Sequence, residues 1–158
     1  MQELIKKLQD NARLTECDLS KMLDLSEDEI KAAIGKLEQQ GIICGYKTII
    51  NPEKVDTPSI TAIIELKVIP QKDKGFEAIA EEIAKFNEVE NVYLMSGGYD
   101  LSLTVTGKNF KDVALFVSRR LAPLNAVQST ATHFILKKYK YMGVNFSDNF
   151  VDDRNYVV

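Results

Sequence analysis

Residues 25–41 read LSEDEIKAAIGKLEQQG, and the architecture of the N-terminal third is built around them. Ser26 and Glu29 stand three apart in the pattern of a capping box, where the hydroxyl accepts a first-turn backbone N–H and the carboxylate reaches back to the cap's own N–H. The pattern predicts a helix starting at Ser26. Ile30, Ala33, Ile34 and Leu37 recur at i, i+3, i+4 and i+7, one face of a 3.6-residue period, and Gly41 supplies a stop. Glu27, Asp28, Lys31, Ala32, Gly35 and Lys36 point elsewhere and remain free for a partner.

Upstream, Leu4, Ile5, Leu8 and Ala12 give residues 2–11 a helical apolar face, with a turn at Asn11. Thr15 and Asp18 repeat the capping signature ahead of Leu19, Met22 and Leu23, and Asp24-Leu25 links this helix to the next. Two helices joined so tightly, the second with a free face, form a helix-turn-helix. Downstream, Ile42-Ile43 and Tyr46 to Ile50 are short β-prone runs around Gly45, which predicts a small hairpin, or wing. Residues 1–50 are therefore expected to be a winged helix-turn-helix. A structural three-helix bundle or a dimerisation module is the plainer reading of the same pattern. On the first reading the DNA contacts are Ser26, Glu27, Asp28, Lys31, Ala32 and Lys36 on the second helix of the motif, with Arg13, Lys21 and Lys47 toward phosphate.

Asn51 to Pro58, NPEKVDTP, holds two prolines and reads as a linker (51–58). From Ser59 the apolar period becomes 2: Ile60, Ala62, Ile64, Leu66 and Val68 alternate with Thr61, Ile63, Glu65, Lys67 and Ile69. A helix follows from Gly75, then β runs at Val89–Met95 and Tyr99–Thr106 around Ser96-Gly97-Gly98, a helix capped by Asn109 and ended before Pro123, and a last strand over Gln128–Tyr139. Strand, helix, strand, strand, helix, strand is the ferredoxin-like βαββαβ order, so residues 59–146 are expected to form an α+β sandwich with two helices on one sheet face. The other face is partly apolar and predicts a homodimer through a second copy. Residues 147–158 read as a C-terminal tail.

At 158 residues and 45% hydrophobic, the chain suits two small domains. No run nears the roughly 18 apolar residues that span a bilayer, and no basic-then-apolar leader opens the chain, so no membrane role and a cytoplasmic location are expected. Cys17 and Cys44 lack metal-ligand spacing, so no metal is expected. The net charge of −3 gives no global pull toward nucleic acid.

LSEDEIKAAIGKLEQQGIICGY followed by YLMSGGYDLSLTV resembles the leucine-responsive regulator and asparagine regulator (Lrp/AsnC) family of transcription factors. The likeness runs to Phe146 and rests on the order and spacing of Leu25-Ser26, Ile34, Leu37-Glu38, Gly41-Ile42-Ile43 and Gly97 to Asp100. The resemblance implies a homodimer or ring of dimers, up to an octamer, that binds double-stranded promoter DNA. It also implies an effector-binding (RAM) domain that takes a small molecule, commonly an amino acid, and no cofactor. Ser96, Gly97, Gly98, Tyr99 and Asp100 would then form the effector loop: glycine backbone N–H groups take a carboxylate and Asp100 an ammonium. Thr130 and Thr132, within the strand STATHF that looks like the family's last, would add hydroxyls. Read without the resemblance, the glycines are a hairpin turn and Asp100 caps a strand end.

One departure stands out. The family's reading helix usually carries arginines, whereas residues 26–41 hold four acids and two lysines, a formal −2. Residues 1–57 hold eight basic and eleven acidic side chains, so the phosphate contacts must be local. An alternative is therefore an oligomeric amino-acid sensor whose helix-turn-helix does not bind DNA directly. A third reading, a haem-handling decarboxylase of similar architecture, needs histidines; His133 is the single one, and no enzymatic activity is expected.

Overall fold

The computed structural model describes residues 1–56, 59–70 and 75–146. The chain separates into two compact units, Met1–Ile49 and Ile50 onward.

The first unit contains α1 (Gln2–Asp10), α2 (Glu16–Leu23) and α3 (Glu27–Gln39). Leu4, Leu8, Leu19, Ile30 and Leu37 are buried together, ringed by Leu14, Leu23, Ala33, Ile34 and Ile43. Ala12 is exposed instead of extending the α1 face. The chain turns at Asn11, whose Oδ1 accepts the Arg13 N–H at 3.0 Å, and Leu14 packs on the core in Ala12's stead. Both capping boxes form. Thr15 Oγ1 accepts the Asp18 N–H at 3.1 Å and Asp18 Oδ2 accepts the Thr15 N–H at 3.0 Å. Ser26 Oγ accepts the Glu29 N–H at 3.3 Å, and Glu29 Oε2 accepts the Ser26 N–H at 2.9 Å. The turn between α2 and α3 is pinned by Asp24 in the left-handed region (φ 53°) and by Ser20 Oγ, which donates to the Leu25 carbonyl at 2.6 Å.

The helix stop at Gly41 (φ 68°) is a Schellman closure: Gly41 N–H donates to Glu38 O at 3.0 Å and Ile42 N–H to Leu37 O at 2.9 Å. That closure also explains why the expected wing carries no strand pairing, since residues 42–50 contain no strand. The N–H groups of both Ile42 and Ile43 turn back to the Leu37 carbonyl, and Tyr46 Oη donates to Glu38 Oε1 at 3.0 Å, holding the segment on α3.

The second unit is a four-stranded antiparallel sheet of order β2-β3-β1-β4, built from β1 (Ile60–Val68), β2 (Val89–Leu94), β3 (Leu101–Gly107) and β4 (Val127–Phe134). With α4 (Glu77–Ala84) and α5 (Phe110–Phe116) it makes the ferredoxin-like sandwich. Ala62, Ile64, Leu66, Leu101, Leu103 and Val105 are fully buried together with Ile79 and Ile83 of α4 and Val113 and Phe116 of α5. The period-2 reading of β1 is thus realised. Asn109 Oδ1 accepts the Asp112 N–H at 2.9 Å and caps α5, which runs into a π-helical turn, Val117–Leu121, before Pro123.

The last strand is shorter than its alternation suggests. It ends at Phe134, opposite Ala62, although β1 continues to Ile60; the Ile135 N–H still donates to Thr61 O at 2.9 Å, and Leu136 then turns out into solvent. The chain instead folds into a separate hairpin, β5 (Lys140–Tyr141) with β6 (Val144–Asn145). Its turn residues Met142 (φ 46°) and Gly143 (φ 84°) are both left-handed, as a primed hairpin turn requires. The proposed linker is partly anchored: Asn51 caps a 3-10 turn over Pro52–Lys54, its Nδ2 donates to Phe146 O at 3.4 Å, and Glu53 faces Lys137 at 3.8 Å. Thr57, Pro58 and the tail 147–158 lie outside the described residues.

Two glycines respond oppositely to substitution. At Gly35, inside α3, a Cβ meets nothing within 4 Å, so Gly35→Ala raises stability by about 0.5–1 kcal/mol through helix propensity. At Gly107 a Cβ lies 2.9 Å from Val113 Cγ2, so Gly107→Ala lowers it by about 1–3 kcal/mol through overpacking. Urea unfolding followed by circular dichroism, with hydrogen exchange to separate the units, reads both changes.

Candidate DNA-reading helix and effector loop

Every residue assigned to DNA from sequence, Arg13, Lys21, Ser26, Glu27, Asp28, Lys31, Ala32, Lys36 and Lys47, is exposed. With Ile30 and Leu37 facing the core, Asp28, Ala32, Gly35 and Gln39 fall on the opposite side of α3 at i, i+4, i+7 and i+11, flanked by Lys31 and Lys36. Gln39 was missed in the sequence reading; continuing the free face one turn past Lys36 would have found it. Ala32 and Gly35 keep the middle of this face thin, so its backbone can approach a surface closely. Of the three first-turn acids, Glu29 is turned back into the cap, and its hydrogen bonds from Ser26 hold its carboxyl below the usual range. Glu27 and Asp28 remain free to face a partner. Lys31 also lines a groove of about 470 Å3 beside Ile34, Gly35, Glu38 and Tyr46. Partial desolvation, and then the Glu38 carboxylate, raises the Tyr46 hydroxyl above its ordinary value.

The candidate effector loop joins β2 to β3. Met95 N–H donates to Asp100 O at 2.8 Å and Asp100 N–H to Leu66 O at 2.9 Å, closing the loop against β1. Gly97 sits at φ 142°, where L side chains are strained; Gly98 does not need positive φ. Ser96, Gly97 and Gly98 are exposed, Tyr99 is half-buried, and the N–H groups of all four have no partner among the described residues. Asp100 is half-buried, and its Oδ2 accepts the Val68 N–H at 2.9 Å. It therefore ties the end of β1 to the loop, leaving Oδ1 as the oxygen available to a ligand. Leu66 pairs with Leu101 on one side and Thr130 on the other, so Thr130 stands at the level of the loop, across β1. Thr132, opposite Ile64, is one step further from the loop. Both threonines are half-buried on the helix-covered face.

His133 lies on the opposite, open face, exposed, with Nε2 3.5 Å from Glu65 Oε2. Among the described residues no cluster of three His, Cys, Asp or Glu side chains is placed to hold a metal, and no helix is long and apolar enough to cross a membrane.

A capped helix-turn-helix followed by a ferredoxin-like unit with a glycine loop between its second and third strands is the layout of a helix-turn-helix transcriptional regulator. The profile of the Lrp/AsnC ligand binding domain matches residues 61–144. An uncharacterized HTH-type transcriptional regulator of Bacillus subtilis, YugG, is 45% identical over 99% of this chain and 94% of its own length. The leucine-responsive regulatory protein of Haemophilus influenzae is 28% identical over 87% of this chain and 82% of its own. Among solved structures, the Neisseria meningitidis regulator NMB0573 in complex with L-Met superposes with a TM-score of 0.70 at 28% identity, covering 87% of this chain and 88% of that one. The chain belongs to the Lrp/AsnC family of transcriptional regulators.

The two capping boxes make the helix-turn-helix acid-sensitive. Hydrogen bonds from Thr15 and Ser26 depress the carboxyl groups of Asp18 and Glu29. Their contribution is therefore complete above the ordinary carboxylate range and is lost as pH falls through the depressed values. Ser26→Ala lowers stability by about 1 kcal/mol at neutral pH. In a Thr15→Ala, Ser26→Ala variant the further loss on acidification is smaller than in the parent, which urea midpoints measured across the acid range resolve.

Proposed function

We propose that this regulator binds double-stranded DNA through α3 and is controlled by an amino acid bound at the β2–β3 loop. The observation that carries the effector assignment is the run of unpartnered N–H groups at Ser96–Tyr99, shaped by Gly97, beside the carboxylate of Asp100. Unpartnered N–H groups can donate to a carboxylate, and a carboxylate oxygen can accept from an ammonium, so the loop suits the α-carbon end of an amino acid. The L-Met bound to the Neisseria relative belongs to the same ligand class. Thr130 completes the site across β1; Asp100 acts first as the residue that fixes the loop.

Assembly is part of the proposal. The open sheet face presents Ile63 and Tyr93, 38% and 54% exposed, along a groove of about 590 Å3 that runs under Ile135 and the β5–β6 hairpin. A second copy covers this face, giving a dimer, and further dimers close into a ring as large as an octamer. The assembly works in the cytoplasm, where its DNA and amino acids are.

For DNA, Lys31 and Lys36 flank the reading face, with Arg13, Lys21 and Lys47 as phosphate contacts. Few cations act per copy, so the salt dependence per copy is shallow, at about −0.9 in log K against log salt for each phosphate neutralised. The free carboxylates of Glu27 and Asp28 favour a second reading, a sensor whose helix-turn-helix contacts protein instead. Gel shifts on the protein's own upstream DNA at low salt separate the two. A shift lost in Lys31→Ala, Lys36→Ala supports DNA reading, whereas no shift with or without any of the twenty amino acids overturns it. In thermal unfolding the cognate amino acid at 100 times its Kd stabilises by about 2.7 kcal/mol. Gly97→Val, forced from φ 142°, loses that response.

A further inference from the structure

The effector loop stands at the start of β3; a second cavity, of about 510 Å3, opens at the strand's other end, roughly 20 Å away at a strand's rise per residue. Its floor is apolar, from Val105 on β3 and Val113 and Phe116 on α5, all buried. Gly107 brings the strand close enough to α5 that a Cβ there would strike Val113.

The rim is charged and unevenly satisfied. Arg120 is already paired: Nη1 donates to both Glu88 oxygens at 2.8 and 3.1 Å, and the guanidinium lies 4.3 Å from the Phe86 ring centre. Lys108 and Arg119 are exposed, line the same cavity, and have no hydrogen bond or ion pair among the described residues. Asp112 also lines it with a carboxylate that has no partner there. Glu88 being matched by Arg120, two free cations stand against one free acid.

The backbone supports this arrangement. The turn Val117–Leu121 is π-helical, with Ala122 N–H donating to Val117 O at 2.8 Å. Arg119 and Arg120 follow Leu115 and Phe116 by four residues and fall on the same side of the helix, and all four line the cavity. Such turns interrupt an α-helix at some cost and recur where side chains must be redirected to a site.

We propose that this cavity is a second small-molecule site, for an organic acid of modest size whose carboxylate lies between Lys108 and Arg119 and whose apolar chain rests on Val105, Val113 and Phe116. Two sources share that chemistry, an amino acid and its deaminated 2-oxo acid, and Asp112 distinguishes them because only the first carries an ammonium. The site is independent of the β2–β3 loop reading.

Equilibrium dialysis of the intact protein against radiolabelled 4-methyl-2-oxopentanoate and L-leucine tests it. Gly97→Val, which lacks the loop site, binds at least one of the two, and adding Lys108→Gln, Arg119→Gln to it weakens that binding about tenfold or more, the loss expected for charge-assisted hydrogen bonds. Both replaced side chains are exposed and unpaired, so melting without ligand is unchanged; each single variant, expected to lose part of the affinity, serves as a check. If Asp112→Asn weakens leucine but not the oxo acid, the ligand is the zwitterion; if it weakens neither, the carboxylate alone is recognised. The assignment is overturned if neither compound binds Gly97→Val, or if adding Lys108→Gln, Arg119→Gln leaves its binding unchanged.

Discussion

The double pairing of β1 is the constraint on which the second unit depends. Residues from Ala62 to Leu66 are matched by β3 on one side and β4 on the other, while Ala62, Ile64 and Leu66 are fully buried. A strand held this way cannot slip by one residue without exposing its apolar face and burying Glu65 and Lys67. Its end is held just as firmly: Leu66 O accepts from Asp100 N–H and Val68 N–H donates to Asp100 Oδ2. The glycine loop therefore departs from a fixed point. Preorganisation of this kind lowers the ordering cost of binding a small ligand.

The first unit is governed by local hydrogen bonding instead. Its buried core is five side chains, small for three helices, so the capping boxes and the Schellman closure carry a large share of the specificity of helix ends. Acids in the first turn of α3 suit the helix dipole, and Glu29 adds the cap, so the negative charge that opposes phosphate is part of what makes the helix. Gly35 runs the other way: it weakens the helix and thins the face that must approach a partner. Both features place a requirement of the outer face against the stability of the helix that bears it.

How far the sequence was legible follows from the range of each interaction. Capping boxes at Thr15 and Ser26, the apolar face Ile30-Ile34-Leu37, the stop at Gly41 and the alternation of Ile60 to Val68 are set within a few residues, and they appear as read. The wing was misread because β-propensity at Ile42-Ile43 competes with a helix closure that takes their N–H groups, a contest invisible to composition. The alternation past Phe134 continues in a segment that has left β1, its partner about seventy residues earlier, and the Met142-Gly143 turn lacks the Asn-Gly signal that marks most primed hairpins. At the β2–β3 loop, Asp100 has a role that only the fold reveals, tying Val68. The cavity at Lys108 and Arg119 had no sequence signal, since its lining from Glu88, the end of β3 and α5 is brought together only by the fold.

On the proposed reading, these properties bear on how an amino acid changes transcription. A reading helix with a formal −2 and few flanking cations gains little from phosphate per copy, so specific occupancy rests on several copies engaging one stretch of DNA together. Linked binding multiplies affinity by the effective concentration of the second unit, a gain of about 10²–10⁴ that disappears when geometry forbids simultaneous contact. An effector acting only on assembly through the second unit would then alter DNA occupancy without moving a side chain of α3. Strong intrinsic phosphate affinity would blunt such control, because single copies would stay bound whatever the assembly. The acidic first turn that counts against DNA binding for one helix is, for the assembly, what makes binding depend on the number of copies held together.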